Sequence, residues 1–343
     1  MIFRRRNREP DAGAAVADAP ETAEGLLERI DELGRANRAA RDPEVERRIV
    51  RLRHRAGALL LGEGAAPGER AAATAGLTNG APLPEVSADR LTPELARAAI
   101  EGRGALLVRG LIDRDEAARL AGEIERAFEA REARGDRAAM PDPDAYFEHF
   151  KADPPFEIAG RGFVQDAGGM WGADSPRVLF DFLETFQRAG LRPLIESYLG
   201  GGPLISVDKC TLRRVRPETF GAWHQDGAFL GDVTALNIWV TLSRCGDVAP
   251  GLDVVPRRID HIVPTGTEGS FFDWDVAADV AREAAGDVEI IRPVFEPGDA
   301  MLFDDLFLHS TATSPQMTET RYAIETWFFA PAGFPSDYVP LAL

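Results

Sequence analysis

The chain is short of cysteine, histidine, positive charge and long apolar runs. Its 343 residues include two cysteines and five histidines. Two thiols, Cys210 and Cys245, cannot build a disulfide framework. Both sit in apolar, strand-like sequence, which points to reduced, buried thiols and a cytoplasmic protein. The formal charge of −17 excludes broad nucleic-acid binding, because neutralising phosphates needs concentrated Lys and Arg. It also argues against docking on an anionic membrane. No segment approaches the length of a membrane span; "AGALLLG" at 56–62 is far too short. The opening "MIFRRRNREPDAG" has arginines with no apolar stretch behind them, so it lacks the pattern of a secretory signal. What is present is a globular composition, 45% hydrophobic, enough for an ample core. Small molecules, not polyanions or lipid surfaces, are the partners this balance leaves open.

Residues 1–22 are rich in Ala, Asp and Glu without periodicity and are expected to be disordered. At 23–62, Leu26, Leu27, Ile30 and Leu33, then Val45, Ile49 and Leu52, recur at helical spacing, with "RDPE" at 41–44 as a break. This predicts a helical hairpin whose apolar face needs either the main domain or a second copy of the chain, as in a homodimer. Residues 63–90 read as a Gly/Ala/Pro-rich linker, and 91–343 as the main domain. There, Asp113 is a candidate N-cap for a helix that follows a short apolar strand, and Ser175-Pro176 opens another. After Pro203 strand signals dominate: "LISVDKCTLRRV", "AWHQDGAF", "ALNIWVTLS", "LDVVP", "VEIIRPVF", "DAMLFDDLFLHS" and "RYAIETWFFAP". "DWDVAADVAREAAGD" interrupts them as a helix-like insertion. Helices first and many strands after predict an α+β fold with a mainly β core, not a βαβ repeat. His54 reads as part of the charged face of the hairpin. His149 lies in an aromatic segment, "YFEHF", that could cover a pocket mouth.

"FGAWHQDGAF" at 220–229 sets His224 and Asp226 two residues apart. On a strand, residues i and i+2 share a face, so an imidazole and a carboxylate would stand side by side. A His-X-Asp tripeptide alone is a common accident. His309, after the Pro-Gly-Asp turn at 297–299, supplies a third ligand. Two imidazoles and a carboxylate leave three positions open on an octahedral ion, which suits a non-haem Fe(II) that must hold both a co-substrate and O2. Such iron needs extra electrons, and a 2-oxo acid yields them on decarboxylation. Arg321, twelve residues beyond His309, can take the distal carboxylate of that acid with two parallel hydrogen bonds, and Thr311 can add a hydroxyl. On 235–243, Asn237, Trp239 and Thr241 share one face, opposite Leu236, Ile238, Val240 and Leu242. The polar face fits the inside of a small-molecule cavity. Gln225 points away on an ideal strand and enters the site only through a turn or bulge. Arg213, Arg214 and Arg216 alternate, either facing the cavity or pairing with this acidic chain's carboxylates.

These motifs together resemble the phytanoyl-CoA dioxygenase family of Fe(II)- and 2-oxoglutarate-dependent oxygenases. The stretches that carry the resemblance are "WHQDG", "LNIWVTLS", "PGLDVVP", "EPGDAMLFDDLFLHS" and "RYAIETWFF", with "GALLVRGLIDRDEAARLAGEIERAF" upstream, covering about 91–330. The resemblance implies a double-stranded β-helix (jelly-roll, cupin-like) core with flanking helices, and an N-terminal helical extension outside it. It assigns His224, Asp226 and His309 to iron, and Arg321 with Thr311 to 2-oxoglutarate. Gln225 and Trp239 match positions lining the co-substrate pocket; Gln165, Asn237 and His261 are candidates for the substrate side. The implied reaction is hydroxylation, or another oxidation, of an unactivated C–H bond in a small molecule, with release of succinate and CO2. A carboxylate at Asp226 favours this over halogenation, since related halogenases carry a small residue there to admit chloride. The chain departs from the family after "DVVP", where a Gly-Ser-His turn is usual and "RRIDHIVP" stands instead. Two rival readings remain: a jelly-roll protein that binds metal or ligand without turnover, and a cupin-like isomerase or hydrolase using another divalent ion. Neither calls for Arg321.

Overall fold

The computed structural model describes residues 21–62, 82–133, 143–158, 160–219, 221–231 and 233–343. Residues 1–20 of the 1–22 stretch expected to be disordered, and most of the stretch read as a linker, therefore lie outside the described residues, while Thr22 is ordered as a helix cap.

Helix α1 (Ala23–Ala39) starts where the Thr22 hydroxyl accepts from the Gly25 amide. Helix α2 (Pro43–Leu60) starts at Asp42, whose carboxylate takes the Glu44 amide, with Pro43 in the first turn. The apolar stripe of the pair, Leu26, Ile30, Ile49, Leu52 and Ala56, packs on Phe180, Leu204 and Ala342 of the same chain. A fully buried carboxylate joins the hairpin to the body. Glu46 meets Arg41 Nε at 2.9 Å, Arg177 Nε at 2.7 Å and Asn37 Nδ2 at 3.2 Å. His54, expected on a charged face, is instead buried. Its Nε2 accepts from the Asp153 amide and its Nδ1 lies 3.0 Å from Pro340 O, with Phe150 and Phe156 at its edges. Periodicity placed it on the wrong side because the helix is covered on two flanks.

Strand β1 (Glu85–Ser87), at the end of the stretch read as a linker, pairs in parallel with β2 (Ala105–Arg109). Between them runs α3 (Pro93–Arg103). Helix α4 (Arg114–Glu132) is capped by Asp113 as the sequence predicts. The short helices α5 (Pro143–Tyr146) and α6 (Arg161–Asp166) lead to β3 (Gly169–Trp171). Helices α7 (Pro176–Arg188) and α8 (Leu191–Leu199) complete the helical part. The strands that follow are β4 (Leu204–Val215), β5 (Ala235–Thr241), β6 (Gly251–Val254), β7 (Ala300–Phe303), β8 (His309–Ala312), β9 (Arg321–Phe329) and β10 (Pro340–Ala342). Helices α9 (Gly227–Leu230) and α10 (Ala278–Ala285) fall between them.

One large mixed sheet runs in the order β1-β2-β7-β5-β9-β4-β10, with β3 also on β4; β6 and β8 form a second, two-stranded sheet. Alternation along the strands splits the core. Leu236, Ile238 and Val240 of β5, with Ile324 and Phe328 of β9, face Ile100, Leu120, Phe128 and Phe182 of the helices. The opposite face, with Trp239, Met301, Phe303 and Trp327, looks toward Leu252 and Val254 of the small sheet. Each such fully buried side chain contributes about 1.5–3 kcal/mol. Gly298 (φ +94°) starts β7, where an added Cβ would stand 2.1 Å from Ile112 O.

Three strand expectations need correcting. "VEIIRPVF" forms only single bridges, Ile291 to Val254 and Phe295 to Cys245, because Pro293 offers no amide to a ladder. "DAMLFDDLFLHS" is not one strand. It is β7 on the large sheet and β8 on the small one, turned at Asp304, whose side chain accepts the Leu306 amide. "AWHQDGAF" is not a strand either. His224 makes one bridge to His309, and Asp226 (φ −61°, ψ −28°) turns into α9.

Glu46→Ala should lower the unfolding free energy by about 3 kcal/mol, since it leaves the Arg177 guanidinium without a carboxylate, while Arg41 keeps Asp181 at 2.6 Å. Denaturant titration checks this, and an unchanged midpoint would contradict the pinning role.

Candidate metal site

The two histidines are set together by backbone, not by side-chain alternation on one strand. The His224 amide donates to His309 O (2.9 Å) and the His309 amide to His224 O (3.1 Å). This reciprocal pair brings the imidazole centroids to 4.4 Å. Gly221 allows the segment to pass close to β8, since an added Cβ there would lie 2.0 Å from Thr311 O. Asp226 follows at the turn, held because the Gly227 amide donates to Asp305 O. Its Oδ2 stands 3.9 Å from His224 Nε2 and 4.0 Å from His309 Nε2. Ligand atoms of the three residues all lie within 4.8 Å of one another.

The donor chemistry fits a divalent ion. His224 Nδ1 lies 2.9 Å from Ala222 O, and His309 Nδ1 lies 2.9 Å from Phe307 O. A carbonyl can only accept, so each Nδ1 carries the proton and each Nε2 offers a lone pair. Burial, and then the neighbouring His224, push the His309 pKa down to about 4, which keeps that lone pair free at neutral pH. Burial alone would raise the Asp226 pKa. Lys209 and the two imidazoles outweigh it and hold the carboxyl below its ordinary range. Lys209 Nζ bonds Asp226 Oδ1 at 3.0 Å, which leaves Oδ2 turned toward the histidines.

Arg321, the first residue of β9, is buried. Its Nη1 donates to Pro250 O (3.2 Å) and Gly251 O (2.9 Å), and its Nε has no partner. Among the described residues no carboxylate pairs with it. Burial lowers its pKa to about 10, so it stays charged at neutral pH. Its guanidinium lies 5.5 Å over the Trp239 ring. Gly251 pairs with Ala312 of β8, the strand that begins at His309, and Thr311 lies on the His309 face of that strand. The other inward cations are matched, Arg213 to Glu325 at 2.7 Å and Lys209 to Asp226. Arg214 faces the helices and pairs with Glu125 and Glu132.

Not every expected site residue is free to touch a ligand. The Gln225 amide is engaged with backbone: Nε2 donates to His261 O and Leu306 O, and Oε1 accepts from the Val263 amide. It organises the loops around the ligands instead of facing a co-substrate, because the turn at Asp226 drives it into the core. Asn237 is buried with its Oδ1 unpartnered, on the inward side of β5. The His261 side chain is exposed. Gln165 is half-buried on α6, whose Phe163 packs on Trp274. His149 pairs loosely with Asp174 (3.6 Å) and packs on Phe147.

Sequence reading missed Lys209 and Trp274. Lys209 is one of two lysines in the chain, a rarity that could have drawn notice. Trp274, read as part of a helix, is brought 5.9 Å from His224 by the bridge between Trp223 and Val276.

No protein-family model and no curated protein matches the chain, so the family resemblance rests on its motifs. Solved structures align with most of the chain at low identity. EctD from S. alaskensis, crystallised with 2-oxoglutarate and 5-hydroxyectoine, is 18% identical with a TM-score of 0.48, over 80% of this chain and 88% of that one. SnoK, a non-heme alpha ketoglutarate dependent carbocyclase from nogalamycin biosynthesis, is 14% identical with a TM-score of 0.47, over 71% of this chain and 86% of that one. Among the described residues no helix is long and apolar enough to cross a membrane.

The His309 shift has a consequence for stability. Unfolded, this histidine titrates near 6.5; folded, at about 4. Between those values the unfolded chain binds more protons. Stability present above pH 6.5 is therefore lost as pH falls through 4, by up to about 3 kcal/mol. In metal-free protein, His309→Leu should flatten the fall in Tm over that window. An unchanged pH profile would show that the imidazole is not buried in its neutral form.

Proposed function

We propose that the protein is an Fe(II)- and 2-oxoglutarate-dependent oxygenase on a double-stranded β-helix core, of the kind found in the phytanoyl-CoA dioxygenase family. It would oxidise an unactivated C–H bond of a small molecule, with release of succinate and CO2. The observation that carries the reading is Arg321: a buried, charged guanidinium with no acidic partner, reached along β8 from the His224, Asp226 and His309 cluster. A buried unpaired cation costs several kcal/mol, and an anionic ligand offsets that cost. A metal-binding protein without turnover, or an isomerase, has no use for such a group.

In this reading the Nε2 atoms of His224 and His309 and Oδ2 of Asp226 hold the ion, and Lys209 keeps Oδ1 turned away from it. The Arg321 Nε edge takes the distal carboxylate of 2-oxoglutarate, aided by the Thr311 hydroxyl. The Pro250 and Gly251 carbonyls and the Trp239 ring fix the plane of the guanidinium, so that little freedom is lost on binding. Phe303 and Phe307, packed on the His309 ring, exclude water from that side. When bound, iron, 2-oxoglutarate and O2 together supply an oxidant able to attack a C–H bond. The chain's own task is to aim one bond of the substrate at it.

Anaerobic addition of Fe(II) and 2-oxoglutarate should give a visible metal-to-ligand charge-transfer band. His309→Ala should abolish it. Arg321→Ala should raise the 2-oxoglutarate concentration needed by at least about 30-fold, about 2 kcal/mol, while Fe(II) affinity changes little. No band in the folded wild-type protein would overturn the proposal.

A further inference from the structure

Exposed apolar surface is concentrated at one place. Among the described residues seven large hydrophobics are exposed, and five of them, Phe163, Phe229, Ile262, Phe271 and Phe272, belong to the segments that rim the ligand cluster. Trp274 is the centre of the group. Its ring stacks on Phe272 (5.0 Å, 4°) and meets Phe163 (5.7 Å, 85°), Phe229 (5.8 Å, 86°) and the metal-candidate His224 (5.9 Å, 87°) edge-on. Phe163 is 59% exposed and Phe272 42%. Ile262 borders the same space, since a Cβ added at Gly227, next to Asp226, would lie 2.9 Å from its Cδ1. Rings held this openly forgo the favourable free energy of leaving water, which a ligand that covers them would recover. Three segments distant in sequence contribute them, so their meeting beside the histidines is a property of the fold.

We infer that this rim is the substrate platform, and that it takes an uncharged small molecule with a flat, unsaturated ring body. The inference rests on the oxygenase reading for its reaction but not for its binding surface. Charge within the rim disfavours a carrier-bound substrate. From Ile259 to Ala281 there is no Lys or Arg. Of the basic residues on the flanking segments, Arg161, Lys209 and Arg258 are each held by a carboxylate, at 2.8, 3.0 and 2.6 Å, while Arg257 and Arg282 donate to the backbone carbonyls of Ala285 and Ala278. Within the rim itself, no basic side chain is left to meet the phosphates of a coenzyme A ester. Ring spacing excludes an ammonium cage, because centroids 5.0–6.2 Å apart already touch and enclose no space. What is left is a set of ring faces and edges open to one side, which a planar ring covers with more contact than a flexible alkyl chain.

Full-length protein loaded anaerobically with Mn(II) and 2-oxoglutarate should be titrated calorimetrically with 2-naphthol, n-decanol, tetraethylammonium and decanoyl-coenzyme A. 2-Naphthol should bind at least tenfold more tightly than the other three. The double variant Phe163→Ala/Phe272→Ala should lose at least tenfold, and Trp274→Phe, which keeps a ring, less than threefold. Equal or tighter binding of decanol, the ammonium ion or the thioester would overturn the assignment. So would naphthol binding that the double variant leaves intact, or no naphthol binding by protein that still takes up 2-oxoglutarate. If Mn(II) and 2-oxoglutarate themselves fail to bind, the oxygenase reading falls. The same titrations on metal-free protein then decide the platform alone.

Discussion

The reciprocal backbone pair between His224 and His309 is the contact on which the site depends. Two amides and two carbonyls, at 2.9 and 3.1 Å, join segments that are far apart in the chain. Each imidazole is then fixed by a carbonyl two residues upstream, Ala222 for one and Phe307 for the other. The side chains thus inherit their orientation from main-chain geometry, which is harder to disturb than a rotamer. The carboxylate is added by a turn that Asp226 itself begins, and a lysine settles which of its oxygens faces inward. Backbone and Lys209 hold the three side chains in place, so little reorganisation would oppose the binding of an ion.

Charge inside the space between the sheets follows a simple rule. Arg213 is matched by Glu325 and Lys209 by Asp226, while Arg321 is left to backbone carbonyls. In an interior lined by Trp239, Phe303 and Trp327, an unmatched cation is unusual enough to read as a binding group. The metal cluster alone would fit many chemistries; the unmatched guanidinium narrows them.

Much of this was legible in the sequence, and the failures have physical causes. Strand β4 was readable as "LISVDKCTLRRV" because apolar and β-branched residues recur along it and no Gly or Pro interrupts it. Asp113 was readable as a cap because the helix behind it is strongly patterned. The three residues that the fold brings together, His224, Asp226 and His309, could be picked out with Arg321 because histidine is scarce and the arginine leads an apolar strand. The reason first given for pairing His224 with Asp226, alternation along a strand, does not hold: the chain turns there, and a tertiary contact does what local periodicity was asked to do. Gln225, which an ideal strand turns away and which the resemblance set beside the co-substrate, has its amide taken up by backbone groups at this turn. Lys209 and Trp274 come from segments that no motif joins to the ligands, and only the folded topology shows that they meet.

Gln225 ties the route of the 261–263 loop, and the carbonyl of Leu306, to the peptide that carries both His224 and Asp226. Lengthening or shortening that loop would tug on the ligand-bearing peptide itself. Substitutions that retune this edge are therefore confined to outward-facing groups such as His261 and Ile262, with the main-chain path between them kept as it is.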